Sequence, residues 1–73
     1  MAVIVSLRED LSKNIELHGE HPADYCFNSE HFSIWSYKNG DINRNGACTQ
    51  NMQFNKEMAK ILRDALNVFL QDI

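Results

Sequence analysis

The chain has 73 residues, 44% of them hydrophobic and 23% charged, with a formal net charge of −3 at neutral pH. A chain of that length makes a single domain, residues 1–73, and buries only about 60–65% of the surface its unfolded form exposes, so its core is thin. The acidic balance argues against indiscriminate binding to phosphates, and the longest apolar run, Ala2-Val3-Ile4-Val5, is too short for a bilayer span or a signal-peptide core.

The expectation is therefore a cytosolic protein with no membrane attachment, whose Cys26 and Cys48 are reduced thiols, one disulfide between them being the open alternative. Charge is distributed unevenly. Residues 1–37 set Arg8 and Lys13 against six carboxylates, whereas residues 38–73 carry a net charge of +1.

Residues 2–7 (AVIVSL) are rich in β-branched side chains and read as a first strand. Residues 7–16 admit two readings. Ser6-Leu7-Arg8-Glu9 has capping-box spacing, with Leu7, Leu11 and Ile15 following at helical intervals; alternatively the chain turns and NIELH, residues 14–18, forms a second strand. The strand-turn-strand reading is preferred. Residues 19–30, punctuated by Gly19, Pro22 and Asn28-Ser29, read as a loop with one short strand near Tyr25–Phe27.

The next strand is clearer. In residues 32–37 Phe32, Ile34 and Ser36 point one way, and Ser33, Trp35 and Tyr37 the other. Asn39-Gly40 suits a type I′ hairpin turn returning Asp41–Arg44 beside that strand. Asn45-Gly46 then supplies a corner or bulge before residues 47–54, where Cys48, Gln50, Met52 and Phe54 share a face; an irregular tip between two strands is the other reading.

Asn55 is a favoured N-cap and Glu57 suits the positive end of a helix dipole. Met58, Ile61, Leu62, Ala65, Leu66, Phe69 and Leu70 then mark an apolar stripe at three-and-four spacing, predicting a helix over 55–71. Full burial of the stripe's six large side chains would contribute roughly 10–15 kcal/mol before entropy, which makes this helix the expected clamp on the sheet. Val68 widens the stripe, and a helix-mediated dimer is one use for the extra width.

Three constellations bear on chemistry. His18, His21, Cys26 and His31 place four nitrogen or sulfur donors within fourteen residues, but in no recognised zinc spacing; surface histidines and a small cysteine explain them without metal. Cys26 with a histidine would make a thiolate and its base, yet no nucleophile elbow, phosphate-cradling loop or paired-carboxylate motif accompanies them. The reading is thus non-enzymatic, with no catalytic residue, cofactor or metal. Trp35 and Tyr37 are the third group. If the helix covers Phe32 and Ile34, these aromatics lie on the open face beside Ser33, Thr49, Asn51 and Gln53, where they would stack unpaired bases or anchor a protein. If it covers the other side, they are core.

Residues 31–66, HFSIWSYKNGDINRNGACTQNMQFNKEMAKILRDAL, resemble the C-terminal part of the positive-cofactor-four-like transcriptional coactivators and their bacterial relatives. The shared pattern is an aromatic strand, a turn with Asp and Gly, a glycine-led strand opening near Gly46, and a short cap before a Leu-rich helix, with Trp35 at an aromatic position. The resemblance implies a curved four-stranded antiparallel sheet followed by one helix, dimerisation through the helices, and binding of single-stranded nucleic acid. That family's sheet-borne basic residues are represented here only by Lys38 and Arg44, and the segment after Gly46 is longer.

Residues and resemblance together predict an α+β domain: a curved antiparallel sheet of about four strands with one C-terminal amphipathic helix on one face, as a homodimer. The expected function is a small binding module for single-stranded nucleic acid through Trp35, Tyr37, Lys38 and Arg44. The alternative is a protein–protein or inhibitor module, such as a small accessory protein of a mobile element, using the aromatic face or the acidic N-terminal half.

Overall fold

The computed structural model describes residues 1–71. It is an α+β fold: β1 (Ala2–Ile4), β2 (Ala23–Phe27), β3 (His31–Ser36), β4 (Gln50–Asn55) and α1 (Lys56–Leu70). The strands form an open sheet in the order β1-β4-β3-β2. β2, β3 and β4 pair antiparallel, as expected, but β1 runs parallel to β4, so the sheet is mixed. A parallel neighbour requires a crossover instead of a hairpin, and residues 5–22 supply it.

That crossover accounts for the first difference from the sequence reading. Residues 14–18 are neither strand nor helix; apart from a turn at Leu11-Ser12, residues 5–22 carry no regular structure. The second difference lies after β3. Gly40 has φ +86°, but Asn39 is not in the left-handed region, so the type I′ hairpin is absent and residues 37–49 form an irregular connection. An Asp41 carboxylate that captures nearby backbone amides competes with the hairpin there, as described below.

Directly paired residues share a face of a sheet, and the register therefore sorts the side chains. One rung is Phe27–Phe32–Phe54–Ile4 and the next Tyr25–Ile34–Met52–Ala2. The Phe32 ring stacks with Tyr25 at 5.6 Å and with Phe27 at 6.3 Å between centroids. The opposite face carries Cys26–Ser33–Gln53–Val3 and Asp24–Trp35–Asn51.

α1 packs on the phenylalanine face. β4 passes into it without a linker: Asn55 ends the strand and caps the helix, its Oδ1 accepting the Met58 N–H at 2.9 Å. Met58 is thereby fixed in the first helical turn, and it and Phe54 are the buried apolar residues of the described chain, at 7% and 5% exposure. Beyond the first turn the stripe emerges. Ile61, Leu66, Phe69 and Leu70 are exposed, as are Tyr25 and Phe27 on the sheet. A trough of about 300 Å³ remains between Phe27, Phe32 and Phe54 and the helix at Ala59 and Lys60. The helix is therefore a clamp at its N-terminal turn only, because a zero-length junction pins that turn to the sheet's end while the rest extends past the covered rung.

The irregular, mostly exposed residues 5–22 and the unfilled face both enlarge the dimensions. The accessible surface is 6723 Å², against about 4,600 Å² for a compact monomer of this mass. The radius of gyration is 14.0 Å, against about 11 Å. Among the described residues no helix is long and apolar enough to cross a membrane.

With so small an interior, truncating its centre is severe. Phe54→Ala is expected to cost about 3–5 kcal/mol and Asn55→Ala about 1 kcal/mol, both read from urea midpoints followed by circular dichroism.

Candidate functional site

The sequence nominated Trp35, Tyr37, Lys38 and Arg44. Trp35 lies on the face opposite Phe32 and Phe54, paired with Asn51 on one side and Asp24 on the other. It is half-buried, and so is Tyr37. The two rings are tied edge to edge, the indole N–H donating to the Tyr37 hydroxyl at 2.7 Å. With its oxygen so occupied as an acceptor, the phenol keeps its own hydrogen to donate.

These rings form one wall of an open groove of about 370 Å³, whose remaining lining comes from Ser33, Asn51, Arg44, Gly46 and Cys48. Three of the nominated residues are thus brought together. Lys38 is not: it is exposed and lies outside the groove lining. Cys48, expected on the Met52/Phe54 face, instead lines this groove. Residues 46–48 precede the strand, so the period of two does not yet apply to them.

The loop that carries Arg44 is organised by Asp41. Its carboxylate accepts the Asn45 N–H at 3.0 Å and the Gly46 N–H at 2.9 Å, and the Arg44 N–H bonds the Asp41 carbonyl at 3.1 Å. Those amides hold the Asp41 carboxyl below its ordinary pKa, the Gly46 bond contributing most, with smaller help from Arg44 and Lys38. Closing the loop puts Arg44 at φ +58°, a left-handed conformation for a residue with a side chain. Gly46 has its own constraint, since a Cβ there would come within 3.2 Å of Asp41 Oδ2. Asn45-Gly46 is thus a corner held by a carboxylate from four and five residues upstream.

Arg44 reaches back to β2. Its Nε lies 3.3 Å from Asp24 Oδ1, and its guanidinium also donates to the carbonyls of Ile42 and Ala23. The groove's cation is therefore balanced by a carboxylate. Residues twenty apart carry no local signal of that pairing. Ser33 and Asn51 were legible as polar neighbours of the aromatics from strand alternation, and a contact between them at 3.5 Å closes the groove's polar floor.

The histidine and cysteine group does not assemble. His21 Nδ1 is 2.6 Å from the Tyr37 carbonyl oxygen, His31 pairs with Asn55 at the far end of the sheet, and both cysteines are free and exposed. Among the described residues no three His, Cys, Asp or Glu side chains converge to hold a metal ion. The groove offers aromatic faces, a hydroxyl, an amide and a neutralised cation, a set suited to stacking and hydrogen bonding. The chain matches no protein-family model, no curated protein and no solved structure.

Because the Asp41 pKa is depressed by folding, its contribution to loop order is complete above the ordinary carboxylate range and disappears as pH falls below about 4. Trp35 emission is expected to shift in that acid window for the wild type; in Asp41→Asn, whose amide oxygen accepts independently of pH, the step should be missing.

Proposed function

We propose that the protein is a small, non-enzymatic binding module that self-associates as a homodimer and takes unpaired nucleic-acid bases in the Trp35 groove. The observation that carries this reading is the separation of aromatics between faces: the phenylalanines lie on the helix side, while Trp35 and Tyr37 line an open groove with Ser33 and Asn51. Base–aromatic stacking contributes about 1–3 kcal/mol per base and tolerates any sequence. Asn51 and the Tyr37 hydroxyl add hydrogen-bonding groups at the ring edges. The resemblance of residues 31–66 to positive-cofactor-four-like domains supports the same reading, as does the succession of antiparallel strands into a C-terminal helix.

Phosphate attraction would come from Lys38 and from Arg44 once a ligand competes with Asp24. The salt dependence should therefore be shallow, corresponding to about one or two phosphate contacts. Self-association is supported by the excess surface and the uncovered phenylalanine face. The cytosol suits two exposed, unpaired thiols.

A second reading, docking of a protein partner, is favoured by the Asp24–Arg44 pair, which leaves the groove without a free cation among its lining residues. The two separate experimentally. Titration with an oligothymidylate is expected to quench Trp35 fluorescence, with affinity falling as salt rises. Asp24→Ala, which releases Arg44, should tighten binding by about threefold to tenfold, and Trp35→Ala, read by polarisation of a labelled oligothymidylate, should weaken it at least about fivefold. Absence of quenching at low salt would end the nucleic-acid reading. Capture of a partner from native lysate that is lost with Trp35→Ala, or with charge reversal at Glu16 and Glu20, would establish the protein reading.

A further inference from the structure

We propose that residues 14–18 of one copy add as an antiparallel strand to the outer edge of β2 in a second copy, and reciprocally. The inference rests on the self-association proposed above and is independent of what the Trp35 groove binds.

β2 is an edge strand, so one side of its backbone has no ladder partner, although the Arg44 guanidinium already engages its first residues at the Ala23 carbonyl and the Asp24 carboxylate. An open edge is a template for an added strand, with main-chain bonds supplying affinity and alternate side chains specificity. On the helix-side face of that edge stand Tyr25 and Phe27, 65% and 70% exposed. The segment Asn14-Ile15-Glu16-Leu17-His18 has the alternation of a strand but is unpaired, with Ile15 at 90% and Leu17 at 93% exposure. Two apolar side chains two residues apart face two aromatic side chains two residues apart.

Antiparallel pairing selects a register. With Ile15 opposite Phe27 and Leu17 opposite Tyr25, both exposed aromatics are covered, Glu16 falls opposite Cys26, and His18 falls opposite Asp24. Sliding the arm by two residues to set Ile15 opposite Tyr25 places Glu16 opposite Asp24, a like-charge pair that destabilises a sheet, and leaves Phe27 bare.

The same chain does not deliver its own arm to this edge. His21 Nδ1 sits at the Tyr37 carbonyl oxygen, and Gly19 lies beside Asn39, where a Cβ would meet its Nδ2 at 3.0 Å. Both contacts hold residues 19–21 beside Tyr37 and Asn39, just past the end of β3, and residues 14–18 take no ladder partner in their own chain. A second copy meets no such constraint, and a two-fold arrangement uses the exchange twice. The surface available is ample: the chain exposes 6723 Å², roughly 2,000 Å² beyond a compact monomer, whereas a standard interface takes about 800 Å² from each partner.

The test uses the full chain carrying Glu16→Cys and Cys48→Ser. Cys48→Ser alone and the triple variant Glu16→Cys, Cys26→Ser, Cys48→Ser are controls that must give no linked dimer, so that only a bond between the introduced thiol and Cys26 of a second copy counts. Under a glutathione redox buffer, a disulfide-linked dimer of the 8.4 kDa chain is expected on a non-reducing gel, with Glu9→Cys in the same background giving none. Separately, the double variant Ile15→Glu and Leu17→Glu should weaken self-association at least tenfold in light scattering while leaving the helical circular dichroism unchanged, since neither side chain is in the core. A dimeric mass accompanied by an intrachain disulfide, by no disulfide, or by unchanged association of the double variant overturns the arm exchange and leaves self-association standing. A monomeric mass at every concentration overturns both.

Discussion

The rest of this molecule is arranged around the strand-to-helix junction that buries Phe54 and Met58 on either side of Asn55. One side chain ends a central strand and the other opens the helix, and Asn55 between them serves both elements. Because β4 is flanked by β3 and β1, fixing Phe54 fixes the middle of the sheet. Removing a ring here would take away the surface on which the helix rests and the row that joins Phe32 to Ile4. Larger domains distribute that responsibility over many side chains; a chain of this length concentrates it.

The sheet separates two kinds of chemistry by the alternation of its strands. Its phenylalanine side is apolar and only partly covered, whereas the other side is polar with a pair of tied aromatic rings. The open side is stiffened by long-range polar contacts: Arg44 to Asp24 from the connecting loop to the edge strand, and Thr49 to Ser36 where that loop rejoins the sheet. The irregular connection is thus a wall of the groove, shaped by Asp41 and closed by an arginine in an unfavourable backbone conformation. Its shape is set by hydrogen bonds to a carboxylate, with little apolar packing.

Much of this was legible in the sequence. The helix and its cap were, because N-capping and the three-and-four apolar spacing are local properties; alternation set Trp35 opposite Phe32 but left open which side meets the helix, a choice settled by the register that pairs Phe32 with Phe54. What escaped is non-local. The parallel placement of Ala2–Ile4 beside β4 depends on a crossover that no periodicity announces. Asn39-Gly40 has the composition of a tight hairpin, but the Asp41 carboxylate directly after it offers side-chain acceptors for backbone amides, and that competitor prevails. Asn14–His18 alternates as a strand should, yet a strand needs a neighbour, and within one chain it finds none. The apolar stripe of the helix predicted a buried face of which this chain buries Met58 and half-buries Leu62, leaving the other stripe residues exposed.

Joining β4 to the helix at a single shared residue also has a mechanical meaning. There is no intervening loop to absorb a change in backbone angles, so the helix has no hinge and its heading follows the twist of the strand before it. Opening and shutting over the phenylalanines like a lid would have to turn on Asn55 itself. Strand and helix must move together as one rigid piece, or the cap at Asn55 has to break first.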